Sequence, residues 1–461
     1  MTISAPQKNT ETEVPKIRQR PHLTAALPYL VWLAGALLLV EMVLGMSGLG
    51  EEEIFKLDKN LGTMHMTNKS VTWRKEGYAR SYFDHDGMRE HGLKIAKPPS
   101  TYRIALLGDS LVEGLQVPIE QTYGKILEKD LARRLHRPVE VLNFGTSGYS
   151  TVQEYLQLDE KVFKYSPDMV LVGYNARDMF ENWSPPDQTL ANVRPFALKL
   201  PNKALVVDNS SVTTWMRSPR AKILNSISWI REKSRIWGLI SAAETEASFH
   251  SEFYKVLMDM LTQPGKTMKS LARKATKPEN WQALAKSSAD QMLKFIAPTG
   301  QTPVIAEKAV SDNSVKAQTK PQEKEQAGAA MPATEAKPRT AGEENYLKLM
   351  SNTQEALYQA MDKKCREHNS KFMVLALPSR AALSPIAGMG EPLFGTNYED
   401  EVRMIETMCA KNHIAFIDGL TPAMKLTSDE HSKMFYTAHM TALGHEYLAS
   451  LMERTLAQTI K

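Results

Sequence analysis

The stretch IALLGDSLVEG, residues 104–114, decides the fold class of this chain. Its apolar half from Ile104 runs without interruption into a glycine, which is typical of a strand buried in a parallel sheet. Ser110 follows Gly108 and Asp109 directly, before the next helix has begun. Ligands bind at this carboxyl edge of open parallel sheets. Ser110 is therefore either a nucleophile presented to a crevice or a polar residue that ends the strand and caps a helix.

Strand and helix patterns alternate around this stretch, which predicts an α/β fold with a parallel sheet. After the strand at Ile104, four further strands are predicted: VEVLNFG (139–145), DMVLVGYN (168–175), KFMVLALP (371–378) and IAFID (414–418). Helical spacing of apolar residues predicts helices over 120–135, 151–165, 344–366, 399–411 and 441–458. Because neither half carries a full sheet, we predict one domain split by a long insertion.

The predicted organisation has seven parts. They are a cytoplasmic tail (1–23), a transmembrane anchor (24–49), a connecting segment (50–100), the first part of the α/β domain (101–184), an irregular and helical insertion (185–297), a disordered linker (298–343) and the second part of the domain (344–461). Helical spacing within the insertion covers 221–262. The linker is rich in Ala, Lys, Glu, Pro and Thr and nearly lacks aromatic residues, so it cannot bury enough apolar area to offset its ordering entropy.

The run LPYLVWLAGALLLVEMVLGMSGL, residues 27–49, has the length and apolar content of a membrane-spanning helix. Glu41 interrupts its second half. Basic residues precede the run, at Lys16, Arg18 and Arg20, and this flank predicts a cytoplasmic N-terminus with the remainder outside. The alternative is a cleaved signal peptide, but the run is longer than a usual signal core and no A-x-A site follows it. The predicted location is the inner (plasma) membrane, single-pass, with a periplasmic domain.

Composition narrows the class of protein. Of the 461 residues, 42% are hydrophobic and 24% charged, which fits a globular core. The net charge of +5 is mild, and no dense basic block predicts nucleic-acid binding.

The only cysteines, Cys365 and Cys409, form either one disulfide or two buried thiols. We expect no cofactor and no metal, since the cluster Asp84, His85, Asp86 and His91 lacks standard ligand spacing.

Four blocks of sequence, in this order, resemble the GDSL or SGNH hydrolase superfamily. They are GDSL (108–111), NFGTSGYS (143–150), GYNARD (173–178) and AHMTALGH (438–445). The resemblance covers residues 101–182 and 344–455 and implies a flavodoxin-like three-layer fold, the SGNH hydrolase fold. It also implies an esterase or acyl transferase that works through an acyl-serine intermediate, with a catalytic serine.

The resemblance assigns roles residue by residue. Ser110 matches the nucleophile, supported by Asp109, and His439 matches the general base. Gly145 matches the glycine whose N–H lies in the oxyanion hole. The asparagine of the third block falls on Arg177, followed by Asp178; Asn175, two residues earlier, could substitute, or Arg177 could itself donate.

The fourth block departs from the family pattern, because the position of its acid, three residues before His439, holds Tyr436. We predict that Tyr436 or a backbone carbonyl orients the imidazole instead; Asp429 and Glu430 are close in sequence but cannot be placed. Ser147 lacks the spacing of a nucleophile elbow and is interpreted as a turn residue. His445, within the last helix, is interpreted as structural.

Two functions follow from this pattern. The first is a membrane-anchored extracytoplasmic serine esterase or O-acyltransferase. Its predicted substrate is the acetyl groups of a surface polysaccharide. The chain resembles anchored proteins that add or remove such groups, often beside a membrane-bound O-acyltransferase, and the resemblance implies this enzyme as a partner. The second is a catalytically impaired subunit of the same fold that binds glycan or assembles a polysaccharide export or modification machine. Hydrolysis and transfer cannot be separated from the sequence, since water or a sugar hydroxyl can resolve the same acyl-enzyme.

Overall fold

The computed structural model describes residues 23–47, 53–74, 76–90, 92–182, 193–240, 341–383 and 397–460. The predicted cytoplasmic tail, nearly all of the predicted linker and the second half of the insertion lie outside these residues. So do the predicted helix beyond residue 240 and His91 of the acidic cluster.

A five-stranded parallel sheet forms the centre of the protein. Its strands are β5 (Tyr102–Leu107), β6 (Val139–Asn143), β7 (Met169–Tyr174), β10 (Lys371–Ala376) and β11 (Ala415–Asp418), in the spatial order β11-β10-β7-β5-β6. Counted along the sheet-forming strands, this is the 2-1-3-4-5 order of flavodoxin-like folds. All five strands were predicted from sequence. The two parts of the chain join where Val374 of β10 pairs with Val172 of β7, which confirms one sheet built from both halves.

Helices cover both faces of this sheet, so the predicted three layers are present. One face carries α3 (Tyr123–Leu135) and α14 (Ala442–Ile460), whose residues Leu131 and Leu456 are fully buried. The other face carries α4 (Thr151–Gln157) and α9 (Ala341–Glu367), with α11 (Tyr398–Lys411) at the side of β11. Shorter helices are α2 (Ser110–Glu113), α5 (Asp178–Glu181), α10 (Arg380–Leu383), α12 (Leu420–Met424) and α13 (Ser428–Met434).

The predicted connecting segment is a folded region, which we call the N-terminal β region (residues 53–93). It consists of two antiparallel hairpins, β1 (Phe55–Asp58) with β2 (Gly62–His65) and β3 (Lys69–Trp73) with β4 (Ala79–Phe83). Its own small core contains Ile54, Val71 and Phe83, which pack on Leu115 just after α2. The region therefore lies against the segment that carries Ser110.

The remaining elements refine the sequence-based boundaries. The helix predicted over 151–165 is α-helical only to Gln157 and then continues as a π turn (Leu158–Val162) and a 3-10 turn (Phe163–Tyr165). A further 3-10 turn, Ile119–Gln121, precedes α3. The described part of the insertion contains the hairpin β8 (Phe196–Lys199) and β9 (Leu205–Asp208), then α6 (Ser210–Arg217), α7 (Pro219–Ser226), α8 (Ser228–Lys233) and helical residues 235–240.

An N-terminal helix, α1 (Leu23–Ser47), contains a span from Leu27 to Ser47 that is long and apolar enough to cross a membrane. Its side chains are almost wholly exposed, unlike those of a core helix. Cys365 and Cys409 are buried free thiols in the same half of the core, which answers the question of their pairing. Burial raises the pKa of each thiol to about 12.

Candidate active site

The nucleophile candidate lies on a short helix seated on three strand ends. Val112 of α2 is so close to Gly108, after β5, and to Gly173, in β7, that a Cβ would come within 2.2 Å and 2.9 Å of its Cγ2. A Cβ on Gly145, after β6, would lie 2.4 Å from the Glu113 backbone nitrogen. Glycine at each of the three strand ends therefore lets α2 pack directly on the carboxyl edge of the sheet, with Ser110 as its first residue.

Ser110, His439 and Glu76 form a continuous hydrogen-bonded chain at this edge. His439 Nε2 is 2.9 Å from Ser110 Oγ, and His439 Nδ1 is 2.5 Å from Glu76 Oε2. The Glu76 and His439 side chains are only 14% and 23% exposed, so the site is accessible but largely screened from water. The arrangement of hydroxyl, imidazole and carboxylate is that of a nucleophile, its base and the group that orients the base.

A tight turn between α13 and α14 holds His439. The Tyr436 N–H donates to the His439 carbonyl at 2.9 Å, and Phe435 and Met440 form an antiparallel bridge across the turn. The Thr441 N–H donates to the carbonyl of Met434 at 2.8 Å, which ties the turn back to α13. The backbone of the turn thus fixes the position of the His439 main chain, from which the imidazole reaches Ser110 and Glu76.

The acid of the site is Glu76, and the prediction that Tyr436 takes the acid's place is wrong. Tyr436 shapes the turn through its backbone, and its ring packs against Gly77 rather than on the Nδ1 of His439. Asp429 pairs with Lys433, and Glu430 caps the start of α13 through Thr427, so neither reaches the imidazole. Glu76 follows β3, more than 360 residues before His439 in sequence. No local motif marks it, because the acid comes from a different layer of the fold.

The surroundings of Glu76 keep it ionised. Partial burial by itself would raise the pKa of Glu76, but the bonds and charge of His439, with the Ala438 N–H at 2.8 Å, lower it below the usual value. A carboxylate that accepts from both the imidazole and the adjacent amide fixes the tautomer with the proton on Nδ1. Nε2 is then free to accept the proton of Ser110.

The structure places only one of the two predicted oxyanion side chains, that of Asn175, beside the nucleophile. Asn175 lies beside the nucleophile, where its Nδ2 donates to Asp109 Oδ2 at 2.7 Å. Asp109 Oδ1 in turn accepts the Leu111 N–H at 2.8 Å and caps α2, the helix that begins at Ser110. The supporting role of Asp109 stays a prediction. Arg177 is 72% exposed and pairs with Glu181 at 2.8 Å, which occupies the charge that a direct oxyanion role would require.

Gly145 packs too closely against α2 for a side chain, and its backbone N–H already makes a hydrogen bond. Its N–H donates to Asn143 Oδ1 at 2.9 Å, and the loop sits against α2. An oxyanion role for Gly145 therefore stays a prediction that requires this bond to open. Two amides of the same edge, Ser110 N–H and Gly148 N–H, make no hydrogen bond to any residue that the structure describes. Gly148 is exposed and has a left-handed φ of 76°.

The N-terminal β region also supports α2 from behind. The fully buried Glu113 binds His65 Nε2 and Ser147 Oγ, and His65 Nδ1 lies 2.9 Å from the carbonyl of Gly87. The His65 ring is stacked between Phe55 and Phe83. Ser147 is thus a structural residue of the turn, in line with its interpretation from sequence.

Arg89 is the second support and is almost completely buried. Its guanidinium donates to Ser81 Oγ at 2.8 Å, to the carbonyl of Glu113 at 3.1 Å, and to the carbonyls of Gly114 and Val117. The carbonyls of Glu113 and Gly114 lie at the C-terminal end of α2, where a positive charge is favourable, and the carbonyl of Val117 belongs to the loop that follows. Burial lowers the pKa of Arg89 to about 10, still well above neutrality.

A second group of carboxyls lies beneath the site. Burial raises the pKa of Glu154 and of Asp178 well above the usual range, and the charges of neighbouring acids, including Asp109, act in the same direction. Neither oxygen of Glu154 has a hydrogen-bond partner among the described residues. Burial likewise raises the pKa of Asp109. The shift of these pKa values is thus opposite in direction to that of Glu76.

Other residues singled out from sequence lie apart from this chemistry. His445 is buried, accepts the Tyr123 N–H at 3.3 Å and has its pKa lowered to about 3 by burial. Asp84 holds a turn through the Asp86 and Met88 amides, and Asp86 pairs with Lys164. Among the described residues, no group of His, Cys, Asp and Glu has metal-binding geometry.

Comparison with known proteins gives one family match and one curated relative. Residues 104–209 match the family GDSL-like Lipase/Acylhydrolase. A segment of 90 residues is 30% identical to an arylesterase of Vibrio mimicus, covering 20% of this chain and 44% of the arylesterase. The chain therefore spans less than half the length of that relative.

Solved structures with overall similarity include an acetylxylan esterase from Geobacillus stearothermophilus, with a TM-score of 0.33, 9% identity and coverage of 77% of this chain and 93% of that one. A GDSL-like lipase from Bacteroides thetaiotaomicron has a TM-score of 0.30 and 10% identity, with coverage of 77% and 88%. These values are too low to transfer any property to this chain.

Proposed function

We propose that this chain, whose residues 104–209 fall in the GDSL/SGNH hydrolase superfamily, is a serine ester hydrolase or acyl transferase with Ser110, His439 and Glu76 as its catalytic triad. The observation that carries the proposal is the hydrogen-bonded chain from Ser110 Oγ through both ring nitrogens of His439 to Glu76. The departures in the third and fourth sequence blocks had favoured a non-catalytic subunit. Glu76 removes the reason that the fourth block gave, because it supplies a carboxylate to His439 from elsewhere in the chain. Asn175 beside Asp109 offers a donor in place of the asparagine of the third block.

The geometry performs acyl transfer in two half-reactions. His439 Nε2 accepts the Ser110 proton as Oγ attacks the ester carbonyl carbon, and the imidazolium then gives that proton to the departing alcohol. This leaves an acyl-Ser110 ester. In the second half, His439 takes a proton from water or from an acceptor hydroxyl, whose oxygen attacks the acyl carbon, and Ser110 Oγ leaves with that proton. Glu76 stabilises the imidazolium formed in each half.

The negative oxygen that develops on the substrate carbonyl needs donors at the same edge. The candidate donors are the second N–H of the Asn175 side-chain amide and the backbone N–H groups of Ser110 and Gly148. Removal of one oxyanion-hole donor typically costs about 10²–10³ in kcat. Gly145 joins them only if its N–H turns away from Asn143. Asp109 orients Asn175 through the bond between their side chains.

The proposed setting is the outer face of the plasma membrane. The apolar span of α1 supports a single-pass anchor, and the basic flank before it supports an extracytoplasmic catalytic domain. A tether of this kind suits a polymer at the cell surface, so the proposed substrate is the acetyl esters of an exopolysaccharide. A membrane-bound O-acyltransferase is the proposed partner if the reaction runs as transfer.

The test is turnover of a small acetyl ester by the detergent-solubilised full chain. We expect measurable release of acetate by the wild-type chain and its loss in Ser110→Ala, with unchanged thermal unfolding. Ser450→Ala is the matched control, since it removes an exposed serine hydroxyl from α14, away from the site. Supplying an acetylated polysaccharide with and without a hydroxyl acceptor then separates hydrolysis from transfer. Equal rates for wild type and Ser110→Ala would overturn the proposal.

A further inference from the structure

The described end of the insertion is attached to the anchor helix through Glu41. The Glu41 carboxylate lies 2.8 Å from Ser234 Oγ and accepts the N–H groups of Ile236, at 3.1 Å, and Arg235. Ser234 also caps the helical residues that follow, accepting the Trp237 N–H at 3.1 Å. The acid that interrupts the apolar span is therefore the cap of helical residues 235–240. This gives a physical reason for a carboxylate in this position.

The attachment sets the depth of the insertion. Glu41 lies six residues before Ser47, the last residue of α1. At about 1.5 Å per helical residue this is roughly 9 Å from the end of the span. Residues 234–240 thus lie beside the outer part of the apolar span, within reach of the membrane–water boundary if α1 crosses a bilayer.

The same part of the insertion exposes large apolar side chains. Ile223, Trp229 and Ile240 are each more than half exposed, and Leu239 is 42% exposed. Within the described residues these side chains lie outside every hydrophobic core cluster. Leu239 and Ile240 belong to the helical residues that Glu41 attaches to α1, so the exposed apolar surface extends from α1 onto the end of the insertion.

Charged residues accompany these apolar side chains. Arg217, Lys222 and Lys233 are exposed along α6 to α8, where Glu232 is the acidic residue. Tryptophan with lysine and arginine around an apolar face is the composition of helices that lie in a membrane interface. A protein-binding face buried at its centre would instead be depleted of lysine.

We infer that residues 219–240 lie in the outer membrane–water interface, with Ile223, Trp229 and Ile240 among the lipid acyl chains and the basic side chains at anionic headgroups. This inference rests on the membrane location proposed above. The domain is then held against the bilayer by two elements, α1 and the insertion, instead of by α1 alone.

The insertion is also connected to Glu76, the proposed catalytic acid. Lys69 Nζ donates to the carbonyl of Glu232 at 3.1 Å and to that of Glu53 at 2.5 Å. Lys69 is the first residue of β3, and Glu76 follows the end of that strand. A fixed position of α8 in the interface therefore also fixes the hairpin that orients His439, with the active site held close to the membrane surface.

The experiment uses the full chain in nanodiscs of phosphatidylcholine and phosphatidylglycerol that carry a doxyl quencher near the headgroup. Tryptophan emission is assigned by difference, from Trp229→Phe for the insertion, Trp32→Phe for the anchor and Trp73→Phe for the N-terminal β region. We expect the quencher to reduce the emission that depends on Trp32 and on Trp229, and to leave the emission that depends on Trp73 unchanged. Glu41→Leu should abolish the quenching of Trp229 and leave the quenching of Trp32 unchanged. Glu41→Gln, which retains a hydrogen-bond acceptor, should keep the quenching of Trp229.

The outcomes separate the two proposals. Quenching of Trp32 without quenching of Trp229 would overturn the inference while leaving the anchor intact, and would make this face a contact for another protein. Absence of quenching at Trp32 would show that α1 is not in the bilayer. This outcome would overturn both the proposed membrane anchor and the inferred position of the insertion, and would leave the proposed hydrolase activity to its own test. Retention of Trp229 quenching in Glu41→Leu would show that Glu41 does not hold the insertion in place.

Discussion

The carboxyl edge of the sheet and the N-terminal β region build one site by different means. Strands β5 and β7 are buried at every position, whereas β1 is half-buried throughout and β3 has only one buried residue. The sheet edge positions Ser110 through close packing at glycines. The N-terminal β region reaches over this edge with a few polar side chains, above all Glu76 and Arg89. A catalytic site can therefore have its nucleophile in a region of strong sequence signal and its acid in a region with almost none.

The largest expected effect is on kcat, and it compares Glu76 of the N-terminal β region with Ser110 of the sheet edge. Glu76→Gln should lower kcat by about 10⁴-fold, because the neutral amide no longer fixes the imidazole tautomer or stabilises its charge. Ser110→Ala should cost at least as much, and the double variant Ser110→Ala/Glu76→Gln should be no slower than Ser110→Ala alone, since the residues act as one unit. Steady-state kinetics on an acetyl ester measures all three.

Glu140→Gln is the matched control for Glu76, because it changes a carboxylate that is paired with Arg103 far from the site. It should leave kcat within about two-fold. A Glu76→Gln enzyme that keeps wild-type kcat would show that the acid belongs to another residue, and that the N-terminal β region supports the site only structurally.

The next effect separates the regions by stability. Arg89→Met should lower the free energy of unfolding by about 3 kcal/mol or more, because several buried carbonyls after α2 lose a charged donor. Chemical denaturation of the full chain measures the change. Arg80→Met, which alters an exposed arginine in β4 of the same N-terminal β region, should change stability by less than about 0.5 kcal/mol. Equal losses in the two variants would mean that the Arg89 contacts contribute nothing specific.

The acids of the two regions should respond to pH with opposite sign. The pKa of Glu76 is lower in the folded chain, so its contribution to stability is present above its unfolded value of 4.5 and is lost as pH falls through the folded value. The pKa of Glu154 is raised, so the folded chain holds a proton there that the unfolded chain releases above pH 4.5. Its effect on stability is therefore a loss as pH rises, with a slope of up to about 1.4 kcal/mol per pH unit.

Glu154→Gln should remove this loss, which denaturation midpoints measured between pH 5 and pH 8 would reveal as a flatter profile. Glu120→Gln, at an exposed acid before α3, is the control and should keep the wild-type profile. A wild-type profile in Glu154→Gln would mean that Glu154 is ionised in the folded chain, despite its burial.

The smallest expected effect concerns the position where the family pattern has its acid. Tyr436→Asp should change kcat by about two-fold or less, because Glu76 already occupies the Nδ1 side of His439. Tyr436→Phe should have no effect, since the backbone of Tyr436 forms the turn. An increase of ten-fold or more in Tyr436→Asp would show that Glu76 orients the imidazole poorly in solution.

The sequence by itself determined the parts of this protein that depend on neighbouring residues. Continuous apolar runs predicted all five strands of the sheet, and helical spacing placed the helices on its faces. The GDSL and C-terminal blocks identified Ser110 and His439, each within a few residues of a strand or helix end. The resemblance of both blocks to one active site predicts the contact between these two residues, and the 2.9 Å distance between His439 Nε2 and Ser110 Oγ confirms it.

Only the tertiary structure decided what depends on distant residues meeting. His65 ends β2, Glu76 lies between β3 and β4, and Arg89 follows β4. Periodicity of apolar residues gives no signal for these polar positions, and their roles exist only once the N-terminal β region packs on α2. The tertiary contacts also showed that Asp109 binds Asn175, and that the amide of Gly145 is committed to Asn143. Strand formation depends on burial along a local stretch, which the sequence records, whereas the partner of a polar side chain depends on which segment folds against it.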